Sequence, residues 1–119
     1  MTESTPPSGV ERRRAPRARA DFAIRLAEQG DGAPAQLKDL STNGLCCTTS
    51  EPVREMTLVR IGLEIPGVDG AHDVQGAVVR CAKLRGQNPP TYEVAVYFTD
   101  VEPATRTAID RFVKQALVS

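Results

Sequence analysis

Most of this chain consists of short runs in which apolar residues recur at every second position. Phe22, Ile24 and Leu26 alternate with alanine or arginine, and similar runs follow, bounded by glycine, proline, asparagine or aspartate. A period of two is typical of half-buried β-strands, and the bounding residues are typical of turns. The later runs span residues 35–40, 45–49, 57–65, 73–84 and 91–98.

The spacing becomes helical only at the end of the chain. After Pro103, which suits the first turn of a helix, apolar residues recur three and four positions apart through residues 109–117. Six runs with hairpin-sized connections predict a mainly all-β fold: a six-stranded antiparallel β-barrel with one C-terminal α-helix over an open end. Gly76, inside the fifth run, predicts a β-bulge or a sharp bend.

The length of 119 residues, with 40% apolar and 25% charged residues, fits one compact domain with a tail. Residues 1–10 are mainly Thr, Ser, Pro and Gly with little to bury, so they are predicted to be a disordered N-terminal tail. Residues 11–119 are the predicted domain, and residues 11–20 are its flexible, arginine-rich arm.

Positive charge is concentrated near the N-terminus of a chain whose formal net charge is zero. Residues 1–19 hold five arginines and two glutamates, whereas residues 20–119 hold ten basic and thirteen acidic residues. General attraction to nucleic acid or to membranes needs a wider basic surface. The distribution therefore favours a compact anionic ligand, whose capture salt should weaken.

The sequence predicts neither a membrane span nor a metal site. No stretch approaches the roughly 20 apolar residues that cross a bilayer, and the N-terminus lacks the apolar core of a signal peptide, so we expect a cytoplasmic protein. Cys46, Cys47 and Cys81 form neither an even framework nor a C-x-x-C pair and are expected to be reduced thiols. His72 is the only histidine, which disfavours zinc. We expect no metal and no cofactor.

Two short polar motifs carry the most specific signal. Arg13–Arg17 reads Arg-Arg-Ala-Pro-Arg, which places forked, permanently charged donors on a segment that proline keeps from being helical. Asp39–Gly44 reads Asp-Leu-Ser-Thr-Asn-Gly, a tight polar turn. In this order, with six predicted strands and a terminal helix, the R-x-x-x-R and D-x-S-x-x-G patterns resemble the PilZ family of bacterial cyclic di-GMP receptors. The resemblance covers residues 11–117 and departs at Ala95, where the family frequently has glycine.

The resemblance implies a nucleotide-binding protein of second-messenger signalling whose ligand is cyclic di-GMP. Arg13 and Arg17 would hold guanine edges and phosphate, because an arginine fork binds O6 and N7 of guanine bidentately. Arg12 aligns with a position where arginine tends to accompany an intercalated ligand dimer, so we expect two ligand molecules per protomer. Asp39 would accept hydrogen bonds from N1–H and N2–H₂ of guanine.

Three further residues complete the expected site. Ser41 would donate to the ligand or fix the turn. Gly44 would let the backbone approach closely, with a φ angle that a side chain would forbid. Arg80, on the fifth predicted strand, is expected near the site as an extra cation from its position alone.

Each motif also has a simpler interpretation. An arginine-rich tail is usually a solvated segment, and Asp39 and Ser41 could hydrogen-bond only their own backbone in an Asx-turn. The joint occurrence and order of the two motifs favour ligand binding over these alternatives.

Three function classes follow. The leading one is a cyclic di-GMP-binding sensor or adaptor, in which the ligand orders the arginine arm over the barrel face. This changes the surface offered to a downstream protein, which in relatives acts in motility, exopolysaccharide synthesis or transcription. The alternatives are a nucleic-acid binder that uses the arm, disfavoured by the acidic body and by having only five aromatic residues, and a ligand-independent adaptor. An enzyme is not expected, because Asp39 has no sequence-evident acid, base or nucleophile beside it.

Overall fold

A computed structural model describes residues 17–28, 32–68 and 70–118 of the chain. The predicted disordered tail, and Arg12 and Arg13 of the predicted arm, lie outside these residues. The secondary-structure elements are β1 (Ala18–Arg19), β2 (Ala23–Ala27), β3 (Ala33–Leu40), β4 (Gly44–Thr49), β5 (Leu58–Leu63), β6 (His72–Lys83), β7 (Tyr92–Asp100) and α1 (Pro103–Val118).

The strands form one antiparallel sheet that closes on itself. Around the barrel the order is β3, β2, β5, β6, β7 and β4, and the pairing of β3 with β4 completes the circle. Strand β1 occupies no separate position, because it pairs with the same edge of β3 as β2 does and continues β2 in line. The predicted six-stranded antiparallel barrel with one C-terminal helix is therefore confirmed.

The short strand β1 was not predicted as a strand. Ala18 pairs with Leu40 and is only 1% exposed, so the last residues of the predicted arm are part of the sheet. Its sequence, Ala-Arg, contains no large apolar residue, so the period-two pattern could not distinguish it from the arm that precedes it.

Side chains that point into the barrel form one hydrophobic core. In β2, for example, Ile24 and Leu26 are buried, whereas Ala23 and Arg25, which alternate with them, are exposed, as the alternation predicted. The largest fully buried apolar side chains are Leu37, Leu40, Leu45, Ile61, Leu63, Ile65, Val74, Val78, Val94 and Ile109.

Helix α1 covers the end of the barrel at which β3 turns into β4. It begins at Pro103, as the sequence predicted, and buries Ala108, Ile109 and Val113. The ring of Phe112 meets that of Phe22 edge to face, with centroids 5.7 Å apart and an interplanar angle of 82°. No described helix combines the length and apolar character that a membrane span requires.

Two irregularities change which side chains face outward. The β3–β4 register shifts between Leu37 and Asp39. Leu37 and Leu40 both point into the core, so Lys38 and Asp39 lie side by side on the outer face. A second shift, between Val78 and Arg80 in the β6–β7 pairing, likewise leaves two successive residues, 79 and 80, exposed on β6.

A third register shift lies between Gln75 and Gly76, at the position of the predicted bulge, but the extra residue is Thr99 on the partner strand β7. A Cβ atom at this position would stand 2.5 Å from Val96 Cγ1 and 2.8 Å from the carbonyl oxygen of Tyr97. Glycine therefore allows β6 and β7 to approach each other closely at this point.

Candidate ligand-binding site

The strand register places five residues in one row across the outside of the barrel. Arg19 pairs with Asp39, Asp39 with Cys46, Cys46 with Ala95, and Ala95 with Arg80. Directly paired residues of antiparallel strands project from the same face of the sheet, so all five share the outer face. Neighbouring strands lie about 4.8 Å apart, so the row follows roughly 19 Å of the curved outer surface of the barrel.

The two sequence motifs meet in this row. Arg17 Nη1 donates to Asp39 Oδ1 at 2.5 Å, although the residues are 22 positions apart. The side chains are 52% and 31% exposed, so the ion pair adds little to stability. Its consequence is positional, because it places an arginine fork beside a carboxylate on an accessible surface. Arg12 and Arg13 lie outside the described residues, and their predicted roles stay predictions.

The turn between β3 and β4 is organised by Ser41, which is 1% exposed. Its Oγ accepts hydrogen bonds from the backbone N–H groups of Asn43 and Gly44, at 3.1 and 3.2 Å, and donates to the Gly44 carbonyl oxygen at 3.2 Å. These contacts describe the turn-fixing role that the sequence analysis allowed for Ser41. Direct donation to a ligand stays a prediction.

The structure corrects the predicted role of Gly44. Its φ angle is not in the left-handed region, unlike those of Gly32, Gly67, Gly70 and Gly86. The expectation of a φ angle forbidden to a side chain was therefore wrong. Glycine is required for another reason: a Cβ here would collide with the carbonyl oxygen of Val96, on the adjacent strand β7. The close approach is made by a neighbouring strand.

Two other elements hold this turn in place. The backbone N–H of Phe98, in β7, donates to the carbonyl oxygen of Asn43 at 2.8 Å. Arg106 Nη1, in α1, donates to the carbonyl oxygen of Thr42 at 3.2 Å. The turn that carries Asp39 at its base is thus connected both to the barrel and to the C-terminal helix.

Arg80 lies in the same outer row as Asp39, in a cluster with two residues that the sequence motifs do not include. Glu93 on β7 accepts from Lys38 Nζ at 2.5 Å and from Arg80 Nη2 at 3.3 Å. The hydrogen bond from Lys38 lowers the pKa of Glu93, and the same hydrogen bond raises the pKa of Lys38. The cluster depends on the β3 bulge and on the strand register, and the periodicity of apolar residues in the sequence shows neither.

The charge on this face is positive. Four cations, Arg17, Arg19, Lys38 and Arg80, stand there against the carboxylates of Asp39 and Glu93, whereas the other described residues hold eight basic and nine acidic side chains. Tyr97, which pairs with Gly44 on the adjoining row, adds an aromatic ring that is 56% exposed. Cations, a carboxylate and an exposed ring are the groups that bind phosphates and purine bases.

The opposite end of the barrel offers concave surface but different chemistry. One concavity there is lined by Leu26, Pro34, Thr49 and Val53, with the carboxylates of Glu28 and Glu51. Of the described residues that line it, none is basic. An anionic ligand would be repelled there, so we place the candidate site on the outer face that carries Arg17, Asp39 and Arg80 instead.

The closed antiparallel barrel with one capping helix defines the fold class of the chain. Residues 11–115 match the family model of the PilZ domain, and the chain belongs to the PilZ domain family. No curated protein sequence matches the chain significantly.

Solved structures with the same fold include three informative neighbours. The Bacillus subtilis inhibitor of motility MotI/DgrA has a TM-score of 0.76 at 8% identity, over 87% of this chain and 50% of that one. The PilZ domain of Escherichia coli YcgR with c-di-GMP has a TM-score of 0.67 at 19% identity, over 90% and 92%. The K. pneumonia MrkH–c-di-GMP complex has a TM-score of 0.68 at 17% identity, over 88% and 52%. The chain thus spans about half the length of MotI and MrkH.

Proposed function

We propose that this protein is a cyclic di-GMP-binding sensor or adaptor, in which the ligand orders the N-terminal arginine arm over the outer face of the barrel. The observation that carries the proposal is the contact between Arg17 and Asp39, which joins the two PilZ motifs on one accessible surface. Family membership and the c-di-GMP bound by the YcgR PilZ domain and by MrkH support the same ligand.

Each group on this face matches a part of the ligand. Cyclic di-GMP carries two phosphodiesters and two guanines, and arginine forks bind either the phosphate oxygens or the O6–N7 edge of guanine. Arg17 and Arg80 are the described arginines that we assign to these roles. Asp39 accepts from N1–H and N2–H₂ of guanine, a pairing that needs an oxygen acceptor. Ser41 and Gly44 act through the turn that positions Asp39.

The arm supplies the remaining cations. Arg13 stands four residues before Arg17, so an extended chain carries it up to about 14 Å from that residue. This reach is enough to bring Arg12 and Arg13 across neighbouring strands of the row. With an arginine at position 12, we propose that two ligand molecules bind per protomer.

A ligand that contacts both arm and barrel favours the closed arrangement over the open one, and this difference in affinity is what makes a switch. Each charge-assisted hydrogen bond contributes roughly 1.5–3 kcal/mol, and a micromolar Kd corresponds to about −8 kcal/mol. Three or four such bonds supply about 5–12 kcal/mol, from which the ordering cost of the arm is subtracted. A downstream protein would read the changed surface.

Titration calorimetry with cyclic di-GMP tests the assignment. We expect the wild-type protein to bind with micromolar or better affinity, and Arg13→Ala, Arg17→Ala and Asp39→Ala each to weaken binding at least tenfold with the fold intact by circular dichroism. Arg54→Ala is the matched control, because Arg54 is exposed at the opposite end of the barrel.

The outcomes separate the function classes. Wild-type affinity in both arginine variants would refute the assignment of those residues. A wild-type protein that does not bind cyclic di-GMP would favour the ligand-independent adaptor, and steeply salt-dependent association with DNA would favour the nucleic-acid binder.

A further inference from the structure

One carboxylate holds two of the cations on the proposed ligand face. Glu93 accepts from Lys38 at 2.5 Å and from Arg80 at 3.3 Å, bridging strands β3, β7 and β6. Both cations are turned outward by the register shifts described above. Lys38 is adjacent in sequence to Asp39, and Arg80 belongs to the same row as Asp39. The Glu93 cluster is therefore continuous with the site.

We infer that Lys38 is a further ligand-binding cation and that Glu93 is its intramolecular competitor, which occupies Lys38 and Arg80 until a phosphate of the ligand replaces it. This inference rests on the proposed function, because it assigns roles within the same site. It adds a binding residue and a residue that sets the affinity threshold.

The exposures indicate which partners move. The Glu93 side chain is 19% exposed, whereas those of Lys38 and Arg80 are 45% and 59% exposed. The carboxylate is thus held by its strand, and the two long side chains have room to turn toward solvent. Lysine has a flexible four-carbon stem, and the arginine fork keeps donors that the single 3.3 Å contact does not use.

The charges determine the sign of the effect. One carboxylate offsets part of the charge of two cations, so a phosphodiester that approaches them must displace Glu93 and is also repelled by it. Glu93→Gln removes that charge while keeping the size and an acceptor oxygen. Lys38 and Arg80 then have no anionic competitor in the cluster, and ligand affinity should rise.

Glu93 has one other role open to it, with the opposite consequence. A carboxylate can accept from N1–H and N2–H₂ of a guanine, as proposed for Asp39, and in that case Glu93→Gln would weaken binding. The direction of the change in affinity therefore distinguishes a competitor from a ligand contact.

The test is titration calorimetry with cyclic di-GMP on the full chain at fixed ionic strength. We expect Glu93→Gln to bind about three- to tenfold tighter, which corresponds to the free energy of the two exposed ion pairs that the ligand no longer has to break. We expect Lys38→Met to bind about three- to tenfold weaker. In the double variant, losing Lys38 should cost more than it does alone, because Glu93 no longer holds that cation. Glu64→Gln, which removes one exposed charge just after β5, a barrel strand that contributes no residue to the row, controls for net charge and should leave affinity unchanged.

Unchanged or weaker binding by Glu93→Gln, in a background where the wild type binds, would overturn this inference and leave the proposed function standing. Wild-type affinity in Lys38→Met would likewise remove Lys38 from the site. Failure of the wild-type protein to bind would overturn both. Proton–nitrogen correlation spectra of the free variants confirm that each is folded.

Discussion

The buried hydroxyl of Ser41 allows the fold and the site to be tested together. Ser41→Ala removes the acceptor for two backbone N–H groups, that of Gly44, which is buried, and that of Asn43, which is partly buried. A buried donor left without a partner costs about 1–3 kcal/mol. The partly buried one adds less, because water can reach it. We therefore expect a loss of about 2 kcal/mol in the free energy of unfolding.

Urea denaturation measures this loss. With a slope of roughly 2 kcal/mol per molar, the midpoint should fall by about 1 M at an unchanged slope. Thr48→Val is the control, because its hydroxyl makes one exposed contact of 3.5 Å with the Gln36 carbonyl oxygen, and it should change stability by less than about 0.5 kcal/mol. If Ser41→Ala unfolds at the wild-type midpoint, the hydroxyl does not hold the turn.

Three further predictions follow from local geometry. Gly44→Ala should lower the melting temperature of the barrel, because its Cβ meets a carbonyl of β7, whereas Gly62→Ala should not, because its Cβ would lie 3.6 Å from Asp73 Oδ1. Equal melting temperatures of the two variants would contradict this. Burial raises the pKa of Cys47 to about 12, so iodoacetamide should label Cys47 only after denaturation, and labelling of the native protein at the denatured rate would refute its burial. The hydrogen bond from Lys38 lowers the pKa of Glu93 below its ordinary value of 4.5. Their contact therefore stabilises the fold above about pH 4.5 and loses its effect as the pH falls through the lowered pKa. A carboxyl NMR titration should show a midpoint below 4.5 for Glu93, and Lys38→Met should raise that midpoint.

Periodicity was enough to predict the barrel and the helix, because both depend on which residues can be buried together. It could not place β1, since Ala18 is small and Arg19 is charged, although Ala18 is almost fully buried. It also could not give the outer face, because a bulge shifts alternation by one residue. The spacing of Leu37 and Leu40, which are both buried although they lie three positions apart, is the sequence signal of this bulge.

The candidate site was predictable only in part. The motif residues Arg17 and Asp39 were singled out from their types and spacing, and the structure brings them into contact. Glu93 and Lys38 carry no motif, and their contact depends on pairing between strands that are 55 positions apart in the chain. The role of Gly44 depended on the approach of β7, which is likewise a property of tertiary packing.

The most direct test of the account is a proton–nitrogen chemical-shift map of the protein titrated with cyclic di-GMP. We predict that the largest shifts cluster on the outer row, at Arg19, Asp39, Cys46 and Arg80. Shifts confined to the opposite end of the barrel, around Thr49, or no shifts at saturating ligand, would contradict the central claim that this face binds the ligand.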